Sequence, residues 1–434
     1  MAIVSPNSPT PTSVSNPSTS YTVPLAIVTS LFFMWGFLTC LNDILVPHLK
    51  SIFDLDYTEI MLIQFAFFGA YFVFSIPSAK IIDWIGYQRS MVVGLLTMGL
   101  GAFLFVPAAI APSYPLFLVA LIVLAAGITC LQVAANPYVT VLGKPETASS
   151  RLNLTQAFNS LGTFLAPFFG GLFILSAAPK TIEQIRALAP EALHAYRVHE
   201  AATVKVPYVG LGIALVLLAV AIGSFKLPKI PQAQHKVGEK VNDSIWKHPN
   251  LVFGAIAIFV YVGAEVAIGS FLVNYFVQPD IGGLTEKVAA SFVAFYWGGA
   301  MVGRFIGSGL LQKMKTGHLL GICAVCAGAL VTISMLTFGH FAMWSIILVG
   351  FFNSIMFPSI FTLGVAELGP LTGDGSGILI MAIVGGALIP LAQGAIADRI
   401  GIHHAFFLPV ICYLYILFFA LSGSKPNSER HAHA

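Results

Sequence analysis

Hydrophobic residues in this 434-residue chain run in long blocks rather than alternating with polar ones. After an opening rich in Ser, Pro, Thr and Asn, apolar stretches recur at roughly 22–47, 59–82, 90–111, 115–142, 152–176 and 206–225. A polar interval follows, and the blocks resume at about 249–277, 288–312, 317–338, 342–365, 375–397 and 404–422. Each is long enough for the ~20 residues that a membrane-spanning helix needs. The pattern predicts an all-α membrane protein with twelve transmembrane helices, six on each side of a linker. The predicted divisions are a disordered tail over 1–21, a six-helix bundle over 22–225, a linker over 226–248, a second six-helix bundle over 249–422 and a tail over 423–434.

Composition sharpens this picture. Hydrophobic residues make up 57% of the chain and charged residues 9%, with a mean hydropathy of +0.87; a soluble chain carries about 25% charged residues. The net charge of +3 is too small to point to nucleic acid. The first twenty residues lack Lys and Arg, so they do not form the basic start of a signal peptide. The linker holds five lysines, and the loops on its side of the membrane bring the Lys and Arg total there to thirteen, against seven on the other side. That bias places both termini in the cytoplasm. The five cysteines all fall in apolar stretches, and the lone pair Cys323 and Cys326 has no second pair with which to hold a structural metal.

The two halves show internal symmetry. Phe65-Ala66-Phe67-Phe68-Gly69-Ala70 in the second span echoes Phe295-Tyr296-Trp297-Gly298-Gly299-Ala300 in the eighth. Gly162, Leu165, Pro167 and Gly171 in the fifth recur as Gly385, Leu388, Pro390 and Gly394 in the eleventh. Two parallel six-helix repeats with a site at their interface describe the major facilitator architecture. The loop Asp83-Trp84-Ile85-Gly86-Tyr87-Gln88-Arg89 resembles the facilitator loop motif, with Gly86 making the turn, Asp83 free to pair across helix ends and Arg89 as the basic member. An ordinary charged turn is the plainer reading of those residues alone.

Polar residues inside the spans are few. Gln132 and Asn136 lie four apart and share a helix face, and Asn153, Gln156 and Asn159 share another at three-residue spacing. Amides offer both donors and acceptors, which suits a ligand covered in hydroxyl groups; interhelical hydrogen bonding is the alternative use. Asn353 and Gln393 are isolated candidates in the second half. Trp35, Tyr261 and Trp297, with Phe33 and Tyr296, are aromatic candidates for stacking on a sugar ring or for plain packing.

Ionisable groups well inside the spans are few, and Asp43, Glu265 and Arg304 are the candidates among them. A carboxylate at membrane depth costs roughly 2.5–3.5 kcal/mol, so Asp43 and Glu265 should face the bundle interior. Either can act in cation coupling or serve as a hydrogen-bonded structural carboxylate. Arg304 is expected to cap a helix end or meet lipid phosphates. His48, His340, His403 and His404 fall at span ends, where interfacial or solvated rings are expected. No nucleophile–base pair, metal cluster or phosphate loop appears, so an enzyme is not expected.

Several of these segments resemble one family. Leu41-Asn42-Asp43-Ile44-Leu45, the stretch Leu131–Thr140 and the stretch Asn153–Ser160 are similar to the fucose–proton symporters of the major facilitators. The segments around Glu265, Tyr296–Arg304 and Phe351–Pro358 look like its bacterial glucose/galactose branch. The resemblance runs from about residue 25 to 422. It implies cation-driven hexose uptake by alternating access in the bacterial inner membrane, by a monomer surrounded by lipid and without any organic cofactor. It also implies that Gln156 and Asn159 fall on sugar-site positions, and Asn42, Gln132 and Asn136 stand beside them as substrate-binding candidates.

One departure matters. Fucose symporters carry a glutamate where this chain has Gln132, which cannot hold a proton. Coupling then rests on Asp43, with Glu265 as a second candidate, and the coupling ion is either a proton or a sodium ion ligated at Asp43. Two other readings stand beside symport. Gly162–Gly171 resembles the fifth-helix motif of facilitator exporters, although Ala166 replaces a glycine there. An uncoupled uniporter would leave both carboxylates structural.

Overall fold

The computed structural model describes residues 21–53, 57–173, 184–185, 187–229 and 244–426; within helices, side chains at 42–52, 57–61, 64, 170–173 and 194 lie outside the described set. The described residues are helical almost throughout. The first six spanning helices are α1 (Thr22–Phe53), α2 (Tyr57–Ile85), α3 (Tyr87–Ile110), α4 (Tyr114–Val141), α5 (Ala148–Phe173) and α6 (Lys205–Ser224). A short helix, Pro190–Ala202, precedes α6. The second six begin with α7 (Pro249–Val277), α8 (Glu286–Leu310) and α9 (Thr316–Leu336). Next come α10, in two pieces (Gly339–Asn353 and Met356–Gly364), and α11, also in two (Thr372–Met381 and Gly385–Ile400). The last is α12, which turns once at Ile402–Ala405 and continues as Phe407–Phe418.

Eleven helices among the described residues are long and apolar enough to cross a membrane. The fifth, α5, has 26 residues and a polar run that lowers its apolarity. With it the count reaches the twelve expected. Large apolar side chains such as Phe72, Leu217, Phe341 and Leu414 are more than half exposed, which is stable only where the surrounding medium is hydrocarbon. This is a multi-pass membrane protein. Because each half crosses an even number of times, α1, the linker and the end of α12 share one side, called the linker face below.

Glycine explains how closely the helices approach. Gly162 of α5 sits against the carbonyl of Phe33 on α1, and its repeat mate Gly385 of α11 sits against the carbonyl of Phe259 on α7. A Cβ at either position would enter that carbonyl oxygen. Small residues let helix backbones touch, and packing is what holds helices together in lipid. The symmetry visible in the sequence is thus a symmetry of contacts: α5 packs on α1 as α11 packs on α7.

The break in α10 has a local cause. Pro358 has no N–H to give the carbonyl of Ser354, and its ring crowds that carbonyl. The helix opens at Ser354 and Ile355 and resumes at Met356. The Ser354 carbonyl is then left to accept a hydrogen bond from a side chain, and the Asn353 carbonyl beside it also accepts one, with consequences for the site.

Gly162→Val and Gly385→Val should each destabilise the folded protein by at least the ~1–3 kcal/mol typical of overpacking, since a backbone carbonyl cannot move aside as a side chain can. Gly69→Val, where a Cβ meets nothing within 4 Å, should be neutral. Size-exclusion profiles of detergent-solubilised protein after stepwise heating separate the two outcomes.

Candidate functional site

In the first half the amides form a connected set. Gln132 and Asn136 on α4 are 5% and 0% exposed, and Gln156 on α5 is 5% exposed. Gln132 Nε2 donates to the hydroxyl of Tyr71 on α2 at 2.8 Å. Gln156 Nε2 reaches Asn136 Oδ1 at 3.4 Å, the long end of hydrogen bonding. Asn136 Nδ2 has no partner among the described residues. Asn159, one turn further along α5, donates to the carbonyl of Phe32 on α1 at 3.0 Å. The two amide faces expected from their spacing do meet, on adjoining helices.

In the second half a carboxylate and three tyrosines surround the α10 break. Glu265, mid-way along α7, accepts from the Tyr261 hydroxyl at 2.8 Å. That hydroxyl is also 3.0 Å from the carbonyl of Asn353. Asn353 Nδ2 donates to the Tyr296 hydroxyl at 2.9 Å, and Asn353 Oδ1 accepts from Tyr413 at 2.8 Å. Tyr296 in turn donates to the backbone carbonyl of Glu265 at 3.3 Å. Asn353 is 0% exposed, so the side chain expected to meet a ligand is here the pin at which α7, α8 and α12 hold the break. Tyr261 is likewise fully buried. Trp297, one face of α8 with Arg304, is 40% exposed and lies over Gly269, one turn along α7 from Glu265.

Arg304 joins the two sets. Its guanidinium donates to the carbonyl of Gln156 at 3.4 Å and to the Ser160 hydroxyl on α5, and to the Ser354 carbonyl at the α10 break at 3.3 Å. It caps the break from inside and bridges the halves, and among the described residues it forms no salt bridge, although it faces Glu265 closely enough to act on its charge. Asn153 Nδ2 adds a bond to the Arg304 carbonyl at 2.7 Å.

Further hydrogen bonds close the halves together toward the linker face. Ser150 donates to the Ser308 carbonyl at 2.7 Å, Ser149 pairs with Thr362 at 2.6 Å and with Thr316 at 2.9 Å, and Ser376 donates to the Val133 carbonyl at 2.8 Å. On α5 these contacts run from Ser149 to Ser160 and stop, a depth of about 17 Å at 1.5 Å per residue. Beyond them, Thr163 turns to the Gly36 carbonyl of its own half. Between α2 and α11 the link is ionic: Lys80 Nζ lies 2.9 Å from Asp374 and 3.8 Å from Asp83. Asp83 faces the start of α11 at Gly373, while Gly86 turns the loop at φ 83°. Arg89 is exposed and lines a separate cavity of about 600 Å³ with Gln88, Lys226 and Lys229, at the rim of the linker face and away from the amides.

Some expectations shift. Asn42 and Asp43 have side chains outside the described residues. Trp35 is 5% exposed and packs on Phe32 at 4.3 Å between ring centres, a core position. Gln393 is fully buried, and neither of its amide atoms has a partner among the described residues. His403 is not solvated. It is 8% exposed, stacks on Phe338 at 5.0 Å, and places Nε2 2.7 Å from the Met335 carbonyl and Nδ1 3.0 Å from the Tyr275 hydroxyl. A carbonyl only accepts, so Nε2 carries the hydrogen and Tyr275 donates to Nδ1. Tyr71, Ser160 and Tyr413 were not foreseen, because nothing local in the sequence ties them to residues 61, 144 and 60 positions away.

Twelve membrane helices in two repeats, joined along one face and carrying a polar set between them, define a membrane transporter rather than an enzyme. The chain belongs to the major facilitator superfamily, whose family model matches residues 27–383, and within it to the fucose–proton symporter family on its glucose/galactose branch. It is 53% identical over 419 residues to the glucose/galactose transporter of Brucella abortus biovar 1 (strain 9-941), covering 96% of this chain and 98% of that one. It is 37% identical over 415 residues to the L-fucose-proton symporter of Escherichia coli (strain K12), covering 94% of each. A crystal structure of FucP, a major facilitator transporter, in the outward conformation matches with a TM-score of 0.85 at 34% identity, covering 94% of this chain and all of that one.

The Lys80–Asp374 pair is 49% and 21% exposed, and a pair that open to solvent contributes only ~0.2–1 kcal/mol. Asp374→Asn should therefore loosen the linker face by no more than about fivefold. The rate at which a membrane-impermeant maleimide labels Ser150→Cys, compared with and without the Asp374 change, measures it.

Proposed function

We propose that this protein imports a hexose of the glucose/galactose type together with a proton by alternating access. The observation that carries the reading is the continuous polar set from Gln132 and Asn136 through Gln156 and Arg304 to Glu265, which spans both halves beneath a closed linker face. The names of its relatives supply the substrate class and the ion. With the linker face cytoplasmic, as the Lys and Arg bias requires, the arrangement corresponds to an outward-open carrier in a bacterial inner membrane, with both termini inside. The working units are a first bundle over 22–225 and a second over 249–422, joined by the linker 226–248. One chain encloses a complete site, so a monomer suffices.

The sugar hydroxyls would be received by Gln132, Asn136, Gln156 and Asn159, with Asn42 from α1 and Trp297 over one face of the ring. The unpartnered Asn136 Nδ2 and the long Gln156–Asn136 bond favour this: a buried donor without a partner is costly, and a stretched bond yields to a better one. Asp43 and Glu265 are the coupling groups. An ionised Asp43 in a closing, dry cavity costs about 2.5–3.5 kcal/mol, or about 70–400-fold in the rate of reorientation. Proton binding removes that charge and lets the loaded carrier turn over.

In liposomes, an inwardly directed proton gradient should drive accumulation of labelled glucose or galactose. Asp43→Asn should abolish accumulation while leaving counterflow exchange. Accumulation driven by sodium instead would replace the ion in this scheme, and equilibration without accumulation under either gradient would overturn symport altogether.

A further inference from the structure

Tyr261 has one hydroxyl hydrogen and two acceptors for it. One is the Glu265 carboxylate at 2.8 Å, and the other, at 3.0 Å, is the carbonyl of Asn353, the last residue before the break in α10. We propose that Tyr261 is a one-hydrogen relay through which the protonation state of Glu265 sets the grip of α7 on the α10 break. This deepens the symport reading, on which its transport consequence rests, by giving the proton a mechanical output.

The two states follow from hydrogen-bond chemistry. When Glu265 is ionised it only accepts, and a charge-assisted bond is about twice as strong as a neutral one. It holds the Tyr261 hydrogen, and Asn353 O receives nothing from that hydroxyl. When a proton from the cavity binds Glu265, the carboxyl becomes a donor to the Tyr261 oxygen. The phenolic O–H then rotates to Asn353 O and fastens α7 to α10. No other covalent bond changes, and the proton leaves by the reverse route. Glu265 is not fully covered, so a proton can reach it.

The surroundings make this output local. The Asn353 side chain is already held by Tyr296 and Tyr413, and the next carbonyl, Ser354 O, accepts from Arg304, which reaches across to α5. The break is thus the point where the second half is tied to the first, and Tyr261 is the tie that a proton can switch. The ionisable groups facing Glu265 are Tyr261 on its own helix, Tyr296 and Arg304 from α8, and Tyr413 from α12. Residues 342–364 of α10 and 382–393 of α11 contain no ionisable side chain. Glu265 is the carboxylate among these groups, and the one that changes from acceptor to donor on binding a proton.

The test is hydrogen exchange of the peptide spanning 350–360 in the purified full-length protein without sugar, at pH 6 and pH 9, corrected for intrinsic exchange rates. The relay predicts stronger protection at the lower pH, by about fivefold, the size of one net hydrogen bond. Glu265→Gln, whose amide donates to Tyr261 permanently, should be protected at both values. Tyr261→Phe should be unprotected at both. Tyr413→Phe removes a bond to the same Asn353 without touching the carboxylate, so it should lower protection yet keep the pH response. A pH response that survives in Tyr261→Phe, or its absence in the wild type, overturns the relay whatever the transport assays show. In liposomes, Tyr261→Phe should lose proton-driven accumulation, and full accumulation would overturn the relay even where symport itself holds.

Discussion

A guanidinium placed within an apolar helix has to find acceptors, and Arg304 finds them on two other helices at once. Its bonds to Gln156 O, Ser160 and Ser354 O tie α8 to α5 of the other half and to the opened turn of α10. None of these acceptors is charged. A neutral carbonyl or hydroxyl stabilises the buried cation without trapping it, whereas a buried carboxylate partner would be costly to leave. A carrier that must break its cross-half contacts in every cycle is better served by the first kind of partner.

The same logic runs along the rest of the closed face. Serine and threonine hydroxyls at 149, 150, 316, 362 and 376 make the joining bonds, each to a backbone carbonyl or another hydroxyl. Each net bond contributes only about 0.5–1.5 kcal/mol, because water replaces the partner when the face opens. The one ionic link between the halves among the described residues, Lys80–Asp374, is partly solvent-exposed and correspondingly weak. Many small terms sum to a closed state that remains reversible. Glycine contacts within each half, by contrast, are between backbones and leave no room for rearrangement. Rigid halves and a soft seam are what alternating access requires.

How much of this could be read from the chain depended on range. The twelve spans were legible because the membrane's thickness imposes a period of its own, and the repeat showed in Gly162 and Gly385 because close backbone approach admits no other residue. Amide faces at Gln132/Asn136 and Asn153/Gln156 followed from helical spacing. What escaped were partners fixed only by packing: Tyr71 for Gln132, Tyr413 for Asn353, and the Phe338 and Tyr275 rings that bury His403. Pro358 stood in plain sight, yet its effect depends on which side chains gather at the carbonyls beside the break. Asn353, read as a lone polar candidate, became a structural hub for that reason.

Gln132 shows how a single atom redistributes chemistry in such a site. Its amide donates to the Tyr71 hydroxyl. An ionised glutamate at that position could only accept, so the same pair would run in the opposite direction and would carry a titratable charge on α4. With an amide there, neither α4 nor the membrane-embedded part of α5 carries an Asp, Glu, Lys, Arg or His, whereas on α7 Glu265 stands beside a tyrosine that two acceptors share. In the proposed relay, proton sensing sits next to the helix break in the second half, where a single hydrogen changes how two helices are joined.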